Sequence, residues 1–197
     1  MGKAEKQNNE SARRKRLDHK ELTSSGFWVG HLMMILATII GVYLAAAQGL
    51  EQAIRYNEYE NVESNYHLRR SLYEEVSDNV KILRSFDLEY LSKNISDVSL
   101  IANRPVLGSY VWDAMKFSSS TLETPSYFLT AVRRFYHNSE SILDRVTTRK
   151  LGWAHASKLL RAELEQMEKE VLPKLDENCQ QLATILKQDF NLDITQP

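Results

Sequence analysis

The sequence predicts an all-α chain: a single N-terminal transmembrane helix, then a long stalk-like helix, then an antiparallel helical bundle. Three observations carry this. An uncharged apolar run occupies residues 27–47, a seam at helical spacing follows it, and the C-terminal stretch repeats apolar positions every three or four residues. Composition agrees with a folded chain, with 43% hydrophobic and 26% charged residues in a length of 197.

The run from Phe27 to Ala47 reads FWVGHLMMILATIIGVYLAAA, without Asp, Glu, Lys or Arg. At 1.5 Å per residue, about 21 residues reach roughly 31 Å, which matches a hydrocarbon core of ~30 Å. Trp28 and Tyr43 lie toward its two ends, where amphipathic rings suit the membrane interface. The predicted span is 26–49, and the partner it requires is a lipid bilayer.

Charge sets the expected orientation. Residues 1–25, read as a basic tail without stable structure, hold seven Lys/Arg against four Asp/Glu, a balance of +3. With the chain at −1, the remainder carries −4, so no basic excess points to nucleic acid. Arg13, Arg14, Lys15, Arg16 and Lys20 precede the span, whereas residues 50–68 supply only Arg55. The positive-inside rule therefore places the N-terminus in the cytoplasm and residues 50–190 outside. The expected location is the cell membrane, the inner membrane if the source is bacterial. Ala45-Ala46-Ala47 resembles the end of a cleaved signal, but the run exceeds the usual 7–15 apolar residues of a signal core, which favours a retained signal-anchor.

The span carries a pattern of its own. Ala37, Gly41, Ala45 and Gly49 recur every four residues, and Gly26 and Gly30 form a separate pair. Small residues at this spacing let two helices approach closely in lipid, so another transmembrane helix is expected as a partner, from a second copy or a different protein. His31 is the one ionisable side chain in the span, within about a turn of its cytoplasmic end, where it can reach the headgroups.

Beyond the span, Tyr59, Val62, Tyr66, Tyr73, Val76, Val80 and Leu83 follow three- and four-residue steps, with Arg69 in the missing place. This coiled-coil-like seam predicts a helix over 50–96. Arg104-Pro105 breaks it. Val106, Leu107, Tyr110, Val111, Ala114 and Met115 predict a short helix over 106–117, followed by a loop at Ser118–Thr121. Thr124-Pro125 marks the start of a helix over 125–147, with Phe128, Val132, Phe135, Ile142 and Val146 inward. Leu160, Leu164, Met167, Val171, Leu175, Leu182 and Leu186 line the last helix, 151–189, in which Pro173 predicts a break. Residues 191–197 lack periodicity and read as a tail.

Signals for chemistry are weak. Glu63 and His67 stand four apart and His137 and Glu140 three apart, but neither repeats as the paired motifs of a bundle metal site. Cys179 is the only cysteine, so no intramolecular disulfide closes. The serines at 118–120 lack a glycine elbow, and no glycine-rich phosphate loop is present. Glu74, Glu75 and Asp78 read as a solvated helix face. Asn94-Ile95-Ser96 matches a glycosylation sequon, which matters only in a eukaryotic secretory pathway. The expectation is a non-enzymatic, membrane-tethered interaction, scaffold or accessory subunit without cofactor, metal or inferred small-molecule substrate. The alternative is an extracytoplasmic helical sensor that signals through a separate membrane partner.

Overall fold

The computed structural model describes residues 25–93 and 96–192. It is all-α, with no strand among the described residues. Helices are α1 (Ser25–Phe86), α2 (Asp97–Ala102), α3 (Tyr110–Met115), α4 (Ser120–Glu123), α5 (Ser126–Thr147), α6 (Trp153–Gln166) and α7 (Leu172–Phe190). Five-residue π-helical turns, Asp87–Leu91 and Met167–Val171, follow α1 and α6. The chain divides into two compact units, Met1–Arg55 and Tyr56–Pro197.

In the first unit, α1 holds a stretch long and apolar enough to cross a membrane. Its best 18-residue window has a mean hydropathy of 2.0 and buries nothing against the rest of the chain. An apolar surface of that extent is unfavourable in water and favourable in hydrocarbon.

In the second unit, α1 from Tyr56 onward packs antiparallel to the C-terminal helices. Tyr59 meets the ring of Phe190, Arg70 pairs with Asp176, and Arg84 pairs with Glu168, so rising numbers on α1 face falling numbers opposite. α5 and α6 pack together across the turn at 148–152, where Arg149 takes φ 60° and the amides of Lys150 and Leu151 return to the carbonyl of Arg145. The core is aliphatic and aromatic: Leu72, Val76, Leu83, Phe135, Leu143, Leu160, Leu164 and Leu175 are at most 1% exposed. The apolar faces expected on α5, and on α6 and α7 except for half-buried Leu182, are buried as a set.

Several elements differ from the sequence expectation. No break separates the apolar run from the helix that follows it, since α1 is continuous from Ser25 to Phe86. Its buried seam is Asn65, Arg69, Leu72, Val76, Asn79, Val80, Leu83 and Phe86, while Tyr66 and Tyr73 are half-buried. Polar residues enter the seam because partners across the fold meet most of their polar atoms, Arg69 Nε excepted. The short helix starts at Tyr110 rather than residue 106, and the serine run holds the single turn α4 instead of a plain loop. α2, capped by Ser96 Oγ accepting from the Ser99 amide, has no counterpart in the sequence expectation. Near Pro173 the chain stays helical, but regular α-helix ends at Gln166 and resumes at Leu172. Proline offers no N–H to the carbonyl four residues back, and the widened turn Met167–Val171 stands directly before it, closed by the Leu172 amide on the carbonyl of Met167. The helix then runs on through α7.

Candidate functional site

The segment from Arg104 to Thr124 is held by side chains reaching across from α1 and α5. Glu75 and Asn79 lie one turn apart on α1 and so share a face. Glu75 accepts the amides of Val111 at 2.6 Å and Trp112 at 3.0 Å. The N-cap residue of α3, Ser109, makes no capping bond of its own, so a carboxylate from another helix satisfies these first-turn donors. Asn79 grips the backbone of Gly108 at both ends: Nδ2 donates to the carbonyl at 2.6 Å and Oδ1 accepts from the amide at 2.9 Å.

Tyr136 closes the network from α5. Its hydroxyl stands 2.9 Å from both Glu75 Oε1 and the Gly108 carbonyl, and accepts from Asn79 Nδ2 at 3.0 Å. A single phenolic proton goes to one acceptor, and the carboxylate is the stronger. Burial, reinforced by the Glu75 charge, pushes the Tyr136 hydroxyl well above its ordinary range. The ring stacks on Trp112 at a centroid distance of 6.1 Å.

A second clamp secures the other end. Arg69, almost fully buried, donates to Asn178 Oδ1 at 2.8 Å and to the Glu123 carbonyl at 2.7 Å. Asn65 Nδ2 donates to the carbonyl of Asn61 at 2.9 Å and contacts the Glu123 carboxylate. The hydroxyls of Ser64 and Ser120 share a bond at 2.9 Å. Desolvation holds the Arg69 guanidinium below its usual value. On the outer edge, Arg104 bridges Glu140 and Asp144 of α5 at 2.8 and 2.6 Å.

The segment held this firmly directs large apolar side chains outward. Leu107 and Met115 are buried in the core, but Val106 is 87% exposed, Tyr110 85%, and Phe117 and Leu122 each 91%. So much apolar exposure within one short segment departs from the scattered single residues of an ordinary surface.

The remaining sequence-flagged residues are not assembled into a reactive centre. His137 and Glu140 line a shallow pocket with Asp113, Trp112 and Tyr136, but no group of three or more His, Cys, Asp or Glu among the described residues is placed to hold a metal. His155 is exposed. Cys179 is buried, and burial pushes its thiol up to about 11, so the nucleophilic thiolate is scarce near neutrality. Ser120 is tied to Ser64. The acidic patch is only partly a solvated face: Glu74 pairs with Arg70 and Asp78 with Lys81, whereas Glu75 is spent on α3.

In the other unit, Ala37, Gly41, Ala45 and Gly49 are exposed on α1, and a Cβ added at Gly41 or Gly49 would meet nothing within 4 Å. His31 Nδ1 donates to the Phe27 carbonyl at 3.0 Å, a bond within its own helix. Arg13, Arg14, Lys15, Arg16 and Lys20, and Asn94 and Ile95 of the sequon, lie outside the described residues. Comparison with family models, curated proteins and solved structures finds no match.

Proposed function

We propose that this chain is a membrane-tethered, non-catalytic interaction subunit. In this reading α1 anchors it through residues 27–47, the N-terminus lies in the cytoplasm, and the helical unit stands outside as a docking body for a protein partner. The observation that carries the reading is the segment 104–124. Buried and half-buried polar side chains of α1 and α5 hold its backbone, while Val106, Tyr110, Phe117 and Leu122 face outward. Fixing a backbone in advance lowers the ordering cost of association, and exposed aromatic and aliphatic anchors are what a partner buries.

The span supports the same reading on its own terms. Ala37, Gly41, Ala45 and Gly49 give a close-packing face with open space above the glycines. The excess of basic residues ahead of the span, against Arg55 alone just after it, supports the orientation.

Crosslinking in native membranes tests the proposal. The wild-type chain is expected to give a discrete adduct with a partner. Phe117→Ser with Leu122→Ser removes two exposed anchors without touching the core and is expected to reduce that adduct at least about tenfold, the effect of ~1.4 kcal/mol. Gly41→Leu with Ala45→Leu is expected to weaken any adduct formed within the bilayer. Recovery of isolated monomers alone would refute the proposal.

A further inference from the structure

α5, α6 and the π-helical turn after α6 border a groove of about 320 Å³, within the roughly 300–1,000 Å³ of small-molecule sites. Its walls carry opposite charges. Arg134 lines it from α5 and Glu163 from α6, yet the two make no ion pair with each other, and Arg134 has none with any described residue. Glu163 is fixed in place, because Asn138 Nδ2 donates to its Oε1 at 2.9 Å. Tyr127 supplies an aromatic wall, with Lys174 Nζ over its ring at 4.9 Å from the centroid, and Ala131 and Met167 supply apolar surface between the polar groups.

Two opposite charges that line one groove without pairing complement a molecule that carries both. A simple anion would gain from Arg134 and be repelled by Glu163, and a simple amine would meet the reverse. A zwitterion satisfies both with charge-assisted hydrogen bonds, the guanidinium on a carboxylate and the carboxylate on an ammonium. We propose that this groove binds a free α-amino acid, its carboxylate on Arg134, its ammonium on Glu163, and its side chain against Tyr127, Ala131 and Met167. The site stands apart from the docking segment, and its test does not depend on any protein partner.

Calorimetric titration of the full chain in lipid nanodiscs with each protein L-amino acid in turn, up to about 1 mM, tests the assignment. At least one is expected to bind and to raise the thermal midpoint by about 3 °C when saturating. For that amino acid, the decarboxylated amine and the deaminated acid are expected to bind at least about tenfold more weakly. Arg134→Ala and Glu163→Gln should each weaken binding to a similar degree while leaving the ligand-free midpoint in place. Arg134 is exposed, and the amide oxygen introduced by Glu163→Gln still accepts from Asn138. Absence of binding by every amino acid, equal binding of the amine or the acid, or unchanged binding by both variants would overturn it.

Discussion

Tyr136 shows how one polar group can organise a surface many residues away. Its hydroxyl joins Glu75, Asn79 and Gly108 in a site with little water, so ionising it would desolvate a phenolate beside a carboxylate. The folded-state value is raised above the unfolded one, near 10, so the stabilisation is complete below that pH and is lost as the pH rises past it. Unfolding free energy measured in urea is therefore expected to fall between about pH 10 and 11 in the wild type. Tyr136→Phe should be less stable at neutral pH, by about 1 kcal/mol, and should lose part of that alkaline decline. Identical pH profiles for the two chains would remove Tyr136 from the account. This polar role is not legible in the sequence, where Tyr136, four residues after Val132, reads as one more position on the inward face of α5 and Glu75 as one of three surface acids. The signal lies in a contact between positions 61 residues apart, and residue spacing along a helix does not report it. Arg69 stands in the sequence only as a gap in an apolar seam, and nothing there sets Asn65 and Asn79 above the tyrosines beside them.

Elements are far more readable than their polar contacts. The inward faces of α5, α6 and α7 follow from spacing alone, because burying an apolar stripe is what stabilises a helix of ordinary propensity. Leu164 on α6 has no exposure, while Leu122 on α4 is almost fully solvated. Leu164→Ala is expected to cost about 3 kcal/mol in chemical denaturation, and Leu122→Ala less than about 0.5 kcal/mol. Similar losses at the two sites would mean that segment 104–124 is packed against the core rather than presented by it. The irregular stretch is the hard part. Val106 and Tyr110 have the composition of a buried helix face, yet both are solvated. Hydrophobicity marks the side chains that gain from burial, not the direction in which an irregular backbone turns them, and here it turns these two outward. At Pro173 the sequence marks the place but not the form of the interruption: a π-helical turn stands just ahead of it and leaves no mark in the periodicity.

At the scale of the whole molecule, the chain pairs an apolar helical stretch that buries nothing against itself with a helical unit whose core closes without it. Location and organisation follow from this more directly than any activity does. Basic residues ahead of the stretch predict the topology: a reporter enzyme fused after Pro197 should be active outside the cytoplasm, and replacing Arg13, Arg14, Lys15 and Arg16 with Glu should reduce that activity. Activity of the unmodified fusion inside the cytoplasm would reverse the orientation. The central claim is that segment 104–124 presents a docking surface. It is tested most directly by placing a photo-activatable crosslinking residue at Leu122, and for comparison at exposed Glu177 on α7, in the full chain in its native membrane. The account predicts a discrete protein adduct from position 122 and little or none from 177. Monomer alone from position 122, or the same products from both positions, would contradict it.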